Sequence, residues 1–296
     1  MITRAGVTVL EVLVVLVVVV LTLGLAIMFL LHLRESGQRV QCENNLKRIA
    51  EAVRQYHDAS AGNDKRSRLP PSRIADGYAT WAVLVVPHLI KETALEDWDK
   101  GLPYIAQKDE VRGAALVPYF CPARLRTETL STAGDLDRAK THVPGALGDY
   151  AAVAGNGDPA HDWTTANANG AMILAHVLEK KDDRIIAWQS LTSLADITRG
   201  ESVTLLLGEK HVPEEYFGDA AFGDGSLYNG ARPASFSRVA GPGFPIASSV
   251  DAPVQKNFGS FHRGGPCPFV RVDTSKQWIT PDVSEFVLGK IATRGE

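Results

Sequence analysis

Cysteine is scarce in this sequence. The 296 residues include three, Cys42, Cys121 and Cys267, and no two form a C-x-x-C pair, so the local spacing that marks a zinc ribbon or a thioredoxin-like redox centre is missing. An excess of one charge is missing too. Against 31 basic residues stand 34 acidic ones, a net charge of -3, which leaves no basic footprint for nucleic acid. Nucleic acid is therefore not an expected partner. The chain also lacks an internal repeat, a G-x-S-x-G elbow, an H-E-x-x-H helix and a Walker-type phosphate loop. Its eight histidines are dispersed, and His57 and His176 read as packing or boundary residues. A non-enzymatic protein is expected. The 45% hydrophobic fraction is enough to build a core, in one large domain or two small ones.

What is present announces itself at the start. Val12 to Leu31 is an unbroken run whose only members neither aliphatic nor aromatic are Thr22, Gly24 and Met28. About twenty residues at roughly 1.5 Å each cross a hydrocarbon core of roughly 30 Å. The run is too long for a cleaved secretory signal, whose apolar stretch is about 7–15 residues. A plain signal anchor fits the length but gives no reason for Glu11 at its edge, where an ionisable group costs on the order of 2.5–3.5 kcal/mol and normally has a partner or a task.

A cut after Gly6, within "RAG" and "VTVLE", makes Val7 the new amino terminus and Glu11 its fifth residue. That arrangement resembles the type IV prepilin signature. The resemblance implies a leader over residues 1–6, removal of it by a prepilin peptidase that also methylates the new terminus, and assembly through the apolar helix with Glu11 paired to a neighbour's terminal ammonium. The leader carries one basic residue, Arg4, and Val7 stands where such proteins most often have Phe or Met. Arg4 on one side of the span faces Arg34 and Arg39 on the other, so charge alone does not orient it. The resemblance places the chain in the inner membrane as a single span, with the head in the periplasm, or at the cell surface once assembled.

The apolar run continues into an amphipathic pattern. Cys42, Leu46, Ile49, Val53 and Tyr56 fall at steps of four, three, four and three, with charged residues opposite and no proline before Pro70, which predicts one helix over residues 7–60 with its transmembrane part at 7–31. Ser36-Gly37 is the expected bend. Residues 61–296 read as a globular α+β head. "TWAVLVVPHLI" has helical spacing with a kink or end at Pro87. "ALVPYFC", "DYAAVAG", "AMILAHVL", "RIIAW", "SVTLLLGE", "PFVRV" and "KQWIT" read as short antiparallel strands. "TPDVSEFVLGKIATRGE" reads as a final helix capped by Thr280, with Pro281 at its first position and Val283, Phe286, Val287 and Ile291 on one face. The predicted architecture is pilin-like, a long helix laid on a sheet.

Read in order, "QCENNLKRIAEAVRQYHDA", "LPPS", "YFCPA", "YAAVAGN", "ITRGESVTLLLGEKH" and "FGSFHRGGPCPFVRVD" resemble successive blocks of a large family of unknown function abundant in planctomycetes (domain of unknown function 1559). That family has a prepilin-type start and a C-terminal signature of His, nine residues, then Asp-Gly. Here His262 is followed by ten residues before Asp273, and Thr274 replaces the Gly. Threonine tolerates positive φ poorly, so a different turn is expected. Cys42 on the helical stripe and Cys121 at the end of a strand-like run both match blocks of the resembling family, and packing one element on the other brings them within the roughly 4.4–6.8 Å a disulfide needs. A 42–121 bridge with Cys267 free is expected; three buried thiols are the alternative.

Two further carboxylate positions stand out. Glu209, after "VTLLL", reads as a surface or structurally bonded residue rather than a catalytic one. Asp219 and Asp224 in "FGDAAFGDGS" offer oxygen ligands for Ca2+ without EF-hand spacing, and a solvated loop is the preferred reading. No cofactor is expected. Three function classes follow: a filament subunit that self-associates or joins other pilin-like subunits, a pseudopilin of a type II secretion-type machine, and a single-span anchored periplasmic binding protein or enzyme.

Overall fold

The computed structural model describes residues 8–61, 66–90 and 95–295; Gly6, Val7 and the expected leader lie outside the described residues. Helix α1 runs from Val9 to Ala59, 51 residues, and passes through Ser36-Gly37 without interruption. Among the described residues it is the one helix long and apolar enough to cross a membrane. Everything from Thr8 to Arg34 is exposed, including the large aliphatic side chains from Val9 to Leu33. Thr22 satisfies its hydroxyl within this stretch by donating to the Val18 and Val19 carbonyls at 2.9 Å, as a polar group in an apolar span must.

The second half of α1 is buried on the head through Cys42, Asn45, Leu46, Ile49, Ala50, Ala52 and Val53. This is the stripe that the four-three spacing predicts. The head is α+β. Its main sheet has the order β5-β1-β4-β6-β7, with β1 Tyr150–Val153, β4 Leu205–Glu209, β5 Ser237–Arg238, β6 Cys267–Arg271 and β7 Lys276–Ile279. Only the short β5 pairs in parallel; β1, β4, β6 and β7 pair antiparallel. A separate hairpin joins β2 His176–Lys181 to β3 Arg184–Gln189. Alternation along the strands, shifted by an irregularity between Leu205 and Leu207 of β4, gives the sheet two apolar faces. Tyr150, Ala152, Leu207 and Val270 join the cluster that contains the α1 stripe. Ala151, Val153, Leu205, Cys267 and Phe269 join a second cluster with Leu288 and Ala292 of the C-terminal helix Glu285–Ile291.

Several expectations need correction. "ALVPYFC" is a 3-10 turn, Val117–Tyr119, because Pro118 cannot donate to a ladder. The kink at Pro87 splits its segment into two short helices, Trp81–Leu84 and Val86–Leu89. The final helix starts after Ser284 rather than Thr280, and the expected face is met only in part: Val283 and Ile291 pack against the cluster of Leu288 and Ala292, while Phe286 and Val287 are exposed. Thr274 takes φ +71° and closes the β6–β7 turn, donating its N–H to the Arg271 carbonyl at 3.0 Å. Asp273 Oδ1 accepts from both the backbone N–H and the hydroxyl of Ser275, at 2.9 and 2.6 Å, and holds the loop in place with Thr274 in this conformation.

Candidate functional site

The sequence leaves Glu11 without a partner, and the structure supplies a local one. Thr8 N–H donates to Glu11 Oε2 at 2.8 Å, and Glu11 N–H donates to Thr8 Oγ1 at 3.3 Å. This reciprocal capping box satisfies orphan donors at the first turn of α1 and leaves the carboxylate exposed beside Val12, Val15 and Leu16.

The second site lies where α1 meets the head. Gln38, Cys42 and Asn45 share one helical face and all address one loop. Gln38 Nε2 donates to the Pro122 carbonyl at 2.9 Å and Asn45 Nδ2 to the Phe120 carbonyl at 3.0 Å, so Cys121, between them in the chain, is brought to Cys42. In the antiparallel register Tyr150 stands opposite Glu209, and residues paired in this way point to the same side of a sheet; here that side faces α1. The loop after Phe258 brings His262. The four donor groups, Cys42 Sγ, Cys121 Sγ, a Glu209 carboxylate oxygen and a His262 ring nitrogen, lie within 4.8 Å of one another, and all four residues are buried.

Each member has its own support. Tyr150 Oη donates to Cys42 Sγ at 3.2 Å. Cys121 Sγ is 3.5 Å from His262 Nε2. Glu209 accepts from Ser260 Oγ at 2.7 Å and from Arg124 Nη2 at 3.2 Å. His262 Nδ1 faces Glu35 Oε1 of α1 at 3.4 Å but has no partner in hydrogen-bonding geometry. Glu35 in turn accepts from Arg39 Nε at 3.0 Å and from the Arg263 N–H at 3.1 Å, which clamps the 260–263 loop to the helix. Burial pushes both thiols up; for Cys42, hydrogen bonds with Cys121 and His262 reverse that and hold it below its ordinary value, whereas Cys121 stays well above. Burial works against the His262 imidazolium, yet contacts with Cys42 and the negative charge of Glu209 and Glu35 raise it above the usual histidine value.

The expected pair of cysteines is thus adjacent but unbonded: all three cysteines are free and buried, the alternative of three thiols rather than the 42–121 bridge. Cys267 lies with the residues of the opposite face of the sheet, where its thiol donates to the Glu209 carbonyl at 3.4 Å. The expectation that the cysteines lack a zinc-type arrangement holds only for local spacing, since the tertiary fold assembles what no short motif does. Glu209 is structurally bonded, as read, but fully buried rather than at the surface. His262 belongs to the cluster, while Asp273 closes the distant hairpin turn.

Behind Glu209 lies a buried network of charges. Arg126 donates to Asp224 at 2.6 and 2.9 Å and to Asp149 at 2.7 Å, and Lys210 Nζ is 2.9 Å from Asp224 Oδ1. This corrects the solvated reading of the Gly-rich loop, since Asp224 is fully buried, and it weighs against calcium there. Two buried cations already neutralise Asp224 and would repel a third, and Asp219 caps the 3-10 turn Ala220–Phe222 by accepting from Ala221 N–H at 2.8 Å. Glu35, Arg124 and Arg126 carry no signal in the sequence, because they lie on solvated-looking stretches.

A family model described as "Protein of unknown function (DUF1559)" matches residues 32–284, most of the chain. The protein belongs to this family. No curated protein and no solved structure matches the chain.

Proposed function

We infer that the protein is a membrane-anchored, pilin-like structural subunit, processed after Gly6 by a prepilin peptidase and assembled through α1 with other copies or related subunits, its head outside the inner membrane. The observation that carries this reading is the division of one continuous helix. From Val9 to Leu31 it offers its surroundings apolar side chains and one terminal carboxylate, with the Thr22 hydroxyl turned back onto the backbone, and its second half is built into the head. A lone anchor needs the first property but not the exposed carboxylate.

The capping box sharpens the test. Glu11→Ala removes both the cap and the charge, whereas Glu11→Gln keeps the cap, since Gln serves equally at that position, and removes only the charge. Both variants should be cleaved normally by mass spectrometry of the amino terminus. Both should lose sheared or cross-linkable assemblies, because an incoming terminal ammonium would be buried without its counter-charge, a defect of about 3–5 kcal/mol. Wild-type assembly by Glu11→Gln, or an intact Met1 on functional wild-type protein, would sink the pilin-like reading.

A further inference from the structure

We propose that Cys42, Cys121, Glu209 and His262 form a tetrahedral structural zinc site that fastens the amino-terminal helix to the head. The donor set is two sulfurs, one imidazole nitrogen and one carboxylate oxygen, all within 4.8 Å of one another. Thiolate and imidazole donors suit zinc and disfavour the oxygen-seeking calcium and magnesium. With Zn–S near 2.3 Å and Zn–N near 2.0–2.1 Å, a sulfur and a nitrogen on one tetrahedral ion stand about 3.5 Å apart. The Cys121 Sγ to His262 Nε2 distance is 3.5 Å. Four protein donors in a buried position leave no open coordination place, which is the arrangement of a structural rather than a catalytic ion.

The surrounding groups fit an ion better than they fit free side chains. Metal-bound histidine carries its proton on the other ring nitrogen and presents it to a carboxylate or carbonyl. His262 Nδ1 is buried with no hydrogen-bond partner, and the nearest carboxylate, Glu35 Oε1, stands 3.4 Å away, close enough to accept once the ring is seated on a metal. Glu209 is oriented by Ser260 and Arg124, and Arg124, itself buried, offsets the negative charge that two thiolates and a carboxylate leave after one Zn2+ is bound. A 42–121 disulfide would use the sulfurs alone and would not account for the convergence of the Glu209 carboxylate and the His262 ring on them. Binding expels the thiol protons to solvent and oxidises nothing.

The full-length chain, purified in detergent from zinc-supplemented cells without chelator, should carry one zinc per chain by elemental analysis. Replacement with Co2+ should give a tetrahedral visible band and a thiolate-to-cobalt charge-transfer band. Cys121→Ser and His262→Ala should each lose at least about ten-fold in zinc affinity, while Cys267→Ser, which points to the other sheet face and keeps a donor for the Glu209 carbonyl, should keep full occupancy and the cobalt spectrum. Stripping the metal should lower the melting temperature by at least about 5 °C, reversibly on adding zinc. Should Cys121→Ser fail to fold, the wild-type cobalt spectrum decides alone. Wild-type protein without stoichiometric zinc and without the charge-transfer band, or a 42–121 disulfide found by non-reducing peptide mapping of envelope-purified protein, would overturn the proposal.

Discussion

Trp278 Nε1 donates to Glu43 Oε1 at 2.6 Å, and Lys276 Nζ holds the other oxygen of the same carboxylate at 2.5 Å. One helical glutamate therefore pins edge strand β7 to α1. Glu43→Gln keeps an acceptor for the indole and loses mainly a half-exposed ion pair, so it should cost no more than about 1 kcal/mol. Glu43→Ala strands the partly buried indole N–H and should cost about 1–3 kcal/mol. Chemical denaturation of the two variants checks the order; equal losses would show that the indole bond contributes nothing.

Asp224→Asn should be among the most damaging single changes in the head. It leaves Arg126 and Lys210 buried without their shared counter-charge, and breaking such a group costs about 3–5 kcal/mol. Burial opposes the Asp224 carboxylate, but Arg126 and Lys210 outweigh burial and hold its pKa far below the usual range. Its stabilisation is therefore complete above the unfolded value of about 3.9 and is lost as pH falls below it. Acid titration of the melting temperature should be less steep below pH of about 4 in the variant than in the wild type.

Thr274→Gly should stabilise the head. A β-branched residue at φ +71° pays a steric penalty of about 1–2 kcal/mol that glycine escapes, offset in part by the greater freedom of glycine in the unfolded chain. A net gain of up to about 1 kcal/mol is expected, read as a rise in melting temperature. A loss would mean that the Asp273–Ser275 bonds depend on the threonine side chain.

A chain beginning near Arg34 should fold and stay monomeric, since the exposed apolar half of α1 is gone. One beginning after Ser60 uncovers the surface beneath Leu46, Ile49 and Val53, each at most 1% exposed. Burying three such side chains contributes about 5–8 kcal/mol, comparable to the stability of a whole domain. Calorimetry should find a cooperative transition in the longer protein and none in the shorter.

The parts of this structure that were legible in the sequence are those fixed by short-range periodicity. The stripe from Cys42 to Val53 follows from helical geometry alone, and strands β4, β6 and β7 follow from β-branched and aliphatic runs bounded by turn residues. Propensity failed where a single residue governs the outcome: Pro118 turned an apolar run into a 3-10 turn, and the last helix begins after Ser284 rather than Thr280. The Cys–Cys–Glu–His cluster was illegible for another reason. Its members lie dozens of positions apart on a helix, a turn, a strand and a loop, so nothing in local spacing joins them until the sheet is folded against α1. Each was visible singly, as a stripe cysteine, a run-ending cysteine, a strand-end carboxylate and the histidine of a terminal signature.

The unbroken course of α1 has a mechanical consequence. At about 1.5 Å per residue, its 51 residues make a rod of roughly 77 Å with no hinge at Ser36-Gly37 to absorb a pull. Tension on the membrane end is delivered lengthwise to the stretch from Cys42 to Val53, where the buried side chains are loaded together, in shear, rather than one after another as in peeling. The first points to meet that load are Glu35, Arg39 and Gln38, the residues that tie the helix to the 260–263 loop and to Pro122. A head borne on such a rod resists extraction along the axis far better than it resists being levered sideways from it.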